Sequence, residues 1–155
     1  MRKAKAQKLV VHPDPKFNDR LVTTFVNNLM MNGKKGVAFK IFYDSLDIIE
    51  KTSKEKGYDI WKKALENIYP GVEVRSRRVG GATFQIPTEI RASRRISMGM
   101  KWLIKYSRDR KSKSMAERLA AEMLAASNGE GLAVKKKEDT HRMAEANKAF
   151  SHFRF

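Results

Sequence analysis

The segment between residues 71 and 95 carries side chains that are suited to binding phosphate. Every basic residue in it is an arginine, although lysine is the commoner basic residue in the chain: Arg75, Arg77, Arg78, Arg91, Arg94 and Arg95. A guanidinium offers a planar fork of N–H donors that matches a phosphate in a bidentate manner and can stack on a base, which an ammonium cannot do. A charged edge that protects an exposed strand from aggregation is the alternative, but lysine would serve that purpose equally well. The arginines therefore favour nucleic-acid contact.

A second basic motif, Gly33-Lys34-Lys35, resembles part of a nucleotide-binding loop but lacks its other requirements. Such a loop needs a glycine five positions before its second glycine, where Asn28 stands, and a strand before it. As a connection between two helices, however, it could hold a backbone phosphate through the ammonium groups and the N–H groups at the start of the second helix. The alternative is a pair of solvated lysines.

The distribution of charge supports the same interpretation. The chain has 33 Lys and Arg against 17 Asp and Glu, a net charge of +16, and residues 71–114 carry +9 whereas residues 21–70 and 115–155 together carry +3. Clustered positive charge is the electrostatic signature of nucleic-acid binding. Lys136 lies in a run of mixed charge at 135–139, for which an exposed helix face is the first interpretation and an RNA contact the second. The further candidate RNA contacts are Arg2, Lys3, Lys8, Arg108, Arg110, Lys111, Lys113, Lys136 and Arg142.

Several classes of function are excluded or disfavoured by composition. The absence of cysteine rules out disulfides, thiolate zinc sites, cysteine nucleophiles and iron-sulfur clusters. His12, His141 and His152 share no metal-ligand spacing, and no local feature supports an acid-base pair among them. The sequence predicts no enzyme, cofactor, metal or small-molecule substrate. No apolar run approaches the ~20 residues of a membrane span, so a soluble intracellular chain is expected.

The length of 155 residues fits one domain, which we divide into a basic flexible tail at 1–17 and a helical RNA-binding domain at 18–155. The tail lacks periodicity and is expected to become ordered only on a partner. Apolar residues at helical spacing predict a helix from Asp19 to Asn32-Gly33, a second after Gly36 and a third that ends at Pro70-Gly71. Trp61 and Trp102 fit the apolar stripes of their helices, so both are expected in the core.

Three more helices are predicted in the second half. The fourth helix is predicted to begin after Ser93, its N-cap, and to end before a loop at the polar run 107–112. The fifth is predicted to begin at Ser114, with Glu117 at the spacing of a capping box. The last extends from about Leu132 to about Phe150, with Met143 among the residues available for packing.

Residues 72–87 predict a β-ribbon between the third and fourth helices. Gly80-Gly81 suits a two-residue hairpin turn, which places Val79 opposite Ala82. Neither face of such a ribbon is cleanly apolar, so it is expected to project from the helices rather than join a core sheet. The predicted fold is mainly α: a single-domain bundle of about six helices with a projecting two-stranded β-ribbon.

Three stretches resemble a known family. They are DRLVTTFVNNLMMNGKKGVAFKIFYDS at 19–45, VEVRSRRVGGATFQIP at 72–87 and VKKKEDTHRMAEANKAFSHFRF at 134–155. All three are similar to the family of small-subunit ribosomal protein seven from bacteria and organelles. The resemblance implies a non-catalytic constituent of the small ribosomal subunit that binds the 3′ major domain of its rRNA and nucleates assembly of the head. It also implies that exit-site tRNA and messenger RNA lie near the ribbon, and that the ninth, eleventh and thirteenth small-subunit proteins are neighbours. A cytoplasmic location is expected, and the sequence leaves a plastid or mitochondrial copy open.

Two other classes of function are alternatives to a ribosomal protein. An architectural DNA-binding protein could use an arginine-bearing ribbon in a minor groove, but the Gly80-Gly81 tip carries no apolar wedge and no pattern pairs two arms. An RNA-processing enzyme would need the metal or acid-base groups that the sequence lacks.

Overall fold

The computed structural model describes residues 10–153, so the predicted contacts Arg2, Lys3 and Lys8 lie outside the described residues. These residues form six α-helices with a two-stranded antiparallel sheet between the third and the fourth, which confirms the predicted fold class. A 3-10 helix at Lys148–Phe153 follows the last α-helix. The elements are α1 Arg20–Leu29, α2 Lys35–Ser53, α3 Gly57–Ile68, β1 Val72–Val79, β2 Ala82–Glu89, α4 Ala92–Asp109, α5 Met115–Ser127 and α6 Leu132–Ala146.

The core lies where α1, α2 and α3 pack around one aromatic cluster and where α5 covers α2, α3 and α4. Trp61 of α3 is fully buried, and its ring meets Phe25 of α1 and Phe42 of α2 edge-on, with centroids 5.6 and 5.3 Å away. Leu119 and Met123 of α5 are equally buried. No helix of residues 10–153 is long and apolar enough to cross a membrane.

Two helix starts have side-chain caps, and the one at Ser114 is as predicted. Asp19 accepts a hydrogen bond from the N–H of Leu21 at 2.8 Å, and Ser114 accepts one from the N–H of Glu117 at 3.2 Å. These side chains satisfy N–H groups that have no partner within the helix.

Helix α4 departs from its predicted bounds at both ends. It begins at Ala92 with Arg91 at the cap position, so Ser93 lies inside the first turn and the prediction of Ser93 as N-cap is wrong. The predicted loop at 107–112 is wrong for its first residues, because α4 continues to Asp109. Ser107 is buried, and its hydroxyl donates to the carbonyl of Leu103 at 2.7 Å, so this polar side chain is satisfied within the helix.

The last helix also differs from its predicted extent. Helix α6 ends at Ala146, and the chain then tightens into the 3-10 helix that carries Phe150. Met143 is 47% exposed, so its predicted role in packing is wrong, whereas Ala144 beside it is buried.

The ribbon has the predicted register. Val79 pairs with Ala82, Arg77 with Phe84 and Arg75 with Ile86. Gly80 and Gly81 both have positive φ, 58° and 91°, as a tight hairpin turn requires. Strand β2 is anchored to the rest of the chain: Ile86 is buried, and the ring of Phe84 packs against that of Phe150 with centroids 5.3 Å apart. The described side chains of the tip are exposed.

The last residues of the predicted tail contact the helices. Asp14 is 1% exposed, and its carboxylate accepts hydrogen bonds from the Tyr43 hydroxyl at 2.6 Å and from the N–H of Lys16 and of Phe17. The ring of Phe17 stacks on Tyr58 with centroids 4.7 Å apart. The order of residues 1–17 without RNA stays a prediction.

Replacing Tyr43 with phenylalanine is expected to lower the free energy of unfolding by about 1–2 kcal/mol, because it leaves a buried carboxylate short of a donor. Burial and the carboxylate of Asp14 raise the pKa of Tyr43 far above its usual range, so the hydroxyl is a donor at neutral pH. Urea denaturation measures the effect. Tyr106→Phe is the matched control, since the half-buried Tyr106 hydroxyl bonds to none of the described residues, and equal losses in the two variants would contradict this role of Asp14.

His141 of α6 connects this helix to the start of the ribbon. The N–H of Gly71 donates to its Nε2 at 3.0 Å, which requires the neutral ring. Burial, helped by the charge of Lys137, lowers the pKa of His141.

A lowered pKa in the folded state means that acid favours unfolding. The contribution of His141 is fully present above the unfolded pKa of about 6.5 and is lost as pH falls through the lower folded value. Urea denaturation at about pH 7.5 and about pH 5.5 should therefore show a larger acid loss for the natural chain than for His141→Gln, which keeps an acceptor without a charge. Identical pH dependence in both would contradict the assignment.

Candidate nucleic-acid interface

One predicted arginine of the ribbon and one of α4 meet around the carboxylate of Glu73. Arg75 donates its Nε–H to Oε1 of Glu73 at 2.6 Å, and its Nη2 lies 2.5 Å from the same oxygen. Arg94 donates its Nε–H to Oε1 and Oε2 at 3.2 and 3.0 Å, and its Nη2 lies 3.0 Å from Oε2. Two residues that are far apart in sequence thus share one partner.

The electrostatics of this cluster follow from its burial. The side chain of Glu73 is 7% exposed, whereas those of Arg75 and Arg94 are 59% and 55% exposed. Burial alone would raise the pKa of Glu73, but hydrogen bonds and charge from Arg94 and Arg75 outweigh it and hold the pKa below its usual range. The carboxylate is therefore ionised at neutral pH, and the cluster keeps a net positive charge.

The other arginines of this region are exposed around the cluster. Arg77 and Arg78 lie on β1 toward the tip, on opposite faces of the ribbon. Arg91 and Arg95 lie at the start of α4, where the helix dipole adds positive potential. The N–H of Ile90 donates to the carbonyl of Gly71 at 3.2 Å and closes the base of the ribbon beside them.

A second basic region forms where the connection between α1 and α2 meets the end of α4. Lys34 and Lys35 are exposed at the start of α2, which has no side-chain cap, and the N–H groups of Gly36 and Val37 in its first turn have no partner within the helix. Arg108 donates from Nη2 to the carbonyl of Leu29 at 3.2 Å. Lys34 and Arg108 border an apolar groove of about 340 Å³, lined also by Leu29, Met31, Val37, Ala38, Ile41 and Met115.

Arg110 differs from the other predicted contacts because it is committed to a buried partner. Its Nε lies 2.5 Å from Oε2 of Glu122, a fully buried carboxylate of α5. The other oxygen of Glu122 accepts from the N–H of Ala133 at 2.9 Å, at the start of α6. This pair ties the connection after α4 to α5 and α6, and so it fixes the segment that carries the exposed Lys111 and Lys113.

Two further predicted contacts lie on α6. Arg142 is exposed and Lys136 is half-buried. Helix α6 itself packs against both strands of the ribbon. Among residues 10–153, no three His, Asp or Glu side chains are placed to share a metal ion.

Comparison with known proteins identifies the family of the chain. The family model described as ribosomal protein S7p/S5e matches residues 1–148. The chain belongs to the S7p/S5e family of ribosomal proteins.

Three relatives are each named small ribosomal subunit protein uS7. The protein of Cytophaga hutchinsonii is 61% identical over 155 residues, and that of Flavobacterium johnsoniae is 67% identical over 158, with both chains fully covered in each case. That of Gemmatimonas aurantiaca is 56% identical over 154 residues, with 99% of each chain covered. The resemblance found in the sequence is confirmed.

In this member of the S7p/S5e family, the sequence analysis missed two residues of the candidate interface. Glu73 and Glu122 are isolated acidic residues in sequence, and only the fold reveals that each pairs with a predicted phosphate contact. One local signal existed for Glu73. It stands two residues before Arg75 on the same strand, where alternate residues share a face.

Proposed function

We propose that the chain is a structural constituent of the small ribosomal subunit that binds the 3′ major domain of the rRNA and catalyses no reaction. Membership of a ribosomal family supports the ribosomal role, and the relatives compared above are named as small-subunit proteins. The observation that carries the RNA-binding part is the cluster at the base of the ribbon, where Arg75 and Arg94 meet with Arg91 and Arg95 nearby.

Binding would proceed mainly through phosphates. The arginines of the ribbon and of α4 offer bidentate donors, and Lys34 and Lys35 add charge beside the uncapped start of α2. Many such contacts from one rigid body hold an RNA junction in one geometry. Base-specific readout is secondary, because phosphate contacts fix position without reporting sequence.

The finer roles are part of the same proposal. The chain nucleates assembly of the subunit head, and its ribbon lies near the exit-site tRNA and the path of messenger RNA. Its neighbours are the ninth, eleventh and thirteenth proteins of the small subunit, and its location is the cytoplasm, within that subunit. The exposed tip of the ribbon, beyond its anchored base, is the feature that suits it to reach a neighbouring RNA.

A competition experiment tests the proposal. The full chain is titrated with a transcript of the 3′ major domain of 16S rRNA and, at the same salt concentration, with duplex DNA of equal length. The expected result is clearly tighter binding of the RNA, with the RNA intact after incubation. Equal or tighter binding of the DNA would favour the architectural DNA-binding alternative and overturn the proposal.

A further inference from the structure

We propose that Glu73 is a positioning residue for RNA binding: its buried carboxylate holds Arg75 and Arg94 as one preformed phosphate-binding surface. This inference rests on the proposed function. Glu73 is an acidic residue within a basic surface, yet on this proposal it strengthens the binding of RNA, which is itself an anion.

The geometry leaves both arginines with donors for a ligand. Each guanidinium uses Nε and Nη2 on Glu73, and the other terminal nitrogen, Nη1, donates to none of the residues between 10 and 153. More than half of each side chain is exposed, whereas the carboxylate is not. A phosphate therefore reaches the guanidiniums from solvent without displacing Glu73.

The carboxylate also allows two like charges to stand side by side. Oε1 of Glu73 accepts hydrogen bonds from both guanidiniums, so the two cations lie within a short distance of each other. Without an anion between them they would repel, and each long side chain would disperse over many rotamers. Fixing both before binding reduces the entropy that is lost when RNA arrives.

The same contact joins two elements that both face the ligand. Glu73 lies near the start of β1, and Arg94 lies in the first turn of α4. The cluster therefore fixes the arginines of the ribbon relative to those of the helix, and one RNA backbone can contact both.

Glu73→Gln tests the inference, because simple charge attraction and positioning predict opposite results. The substitution removes one negative charge and keeps the size of the side chain. We expect it to weaken binding to the 3′ major domain transcript roughly fivefold to tenfold, although the chain becomes more positive. The matched control is Glu55→Gln, which makes the same charge change at an exposed position after α2 and should leave affinity unchanged or slightly higher.

A second measurement separates positioning from a purely structural role. In a chain that already carries Arg75→Ala and Arg94→Ala, Glu73→Gln should produce no further loss of affinity, since the residues through which it acts are gone. A structural role would produce the same loss in both backgrounds. Unchanged or tighter binding by Glu73→Gln alone, or an equal loss in both backgrounds, would overturn the inference.

If Glu73→Gln disturbs folding, Arg94→Lys provides an independent test of the same inference. It keeps the charge at an exposed position but cannot contact Glu73 through two nitrogens, so we expect a similar loss of affinity with an unchanged melting temperature. Full affinity in this variant would count against the inference. Failure of the proposed function is distinguishable, because the natural chain would then show no preference for the RNA transcript.

Discussion

Replacing Trp61 with alanine is expected to lower the free energy of unfolding by about 3–5 kcal/mol, as large-to-small changes in a core do. Trp61 is fully buried and meets the rings of Phe25 and Phe42 edge-on. These three rings join α1, α2 and α3, so the cavity would open where three helices meet and no single helix could move to close it. Urea denaturation followed by circular dichroism measures the loss.

Two further variants show whether the loss comes from packing. Trp61→Phe keeps a ring and removes an indole N–H that has no hydrogen-bond partner among the described residues, so we expect a smaller loss of about 1–2 kcal/mol. Lys34→Ala changes an exposed side chain and should stay within about 0.5 kcal/mol of the natural chain. Destabilisation by Lys34→Ala equal to that of Trp61→Ala would mean that this connection is not a surface feature.

The core and the order of elements could be predicted because they depend on local patterns. Helical spacing identified Trp61 and the start of α1 after Asp19, and capping chemistry placed the start of α5 correctly at Ser114. Trp102 shows where this reasoning weakens, because the same spacing leaves it only half-buried at the edge of the core.

The errors arose where tertiary contacts outweighed local composition. The run 107–112 is rich in charge, yet Ser107 faces the core and satisfies its hydroxyl on its own helix, so α4 continues. Met143 has the apolar character of a core residue, but nearly half of its surface remains exposed.

The residues of the candidate interface likewise include some that the sequence predicts and some that only the fold reveals. The arginines were visible in sequence because residue type alone carries their chemistry. Their carboxylate partners were not, since Glu73 meets Arg94 and Glu122 meets Arg110 only through the packing of separate elements. The apolar groove beside Lys34 was missed for the same reason, because Met31 and Met115 come from distant parts of the chain.

Replacing Arg75, Arg77 and Arg78 together with alanine is expected to weaken binding to the 3′ major domain transcript by on the order of 100-fold, about the sum of three exposed charge-assisted contacts. Each lost phosphate contact also removes about one released counterion, so the slope of log affinity against log salt should fall by roughly 2 to 3. Filter binding over a range of salt concentrations measures both quantities. The melting temperature should change little, because Ile86 and the contact of Phe84 with Phe150 still anchor the ribbon.

The corresponding lysine triple variant separates charge from geometry. It keeps three positive charges but loses the bidentate fork, so it should retain most of the salt slope and still bind more weakly than the natural chain. Full affinity in the lysine variant would mean that the ribbon acts through charge alone. If the arginines only protect the edge of the ribbon, the alanine variant would instead aggregate while its remaining soluble fraction kept the natural affinity and slope. An unchanged slope in the alanine variant would therefore remove the ribbon from the RNA interface, whatever its effect on solubility.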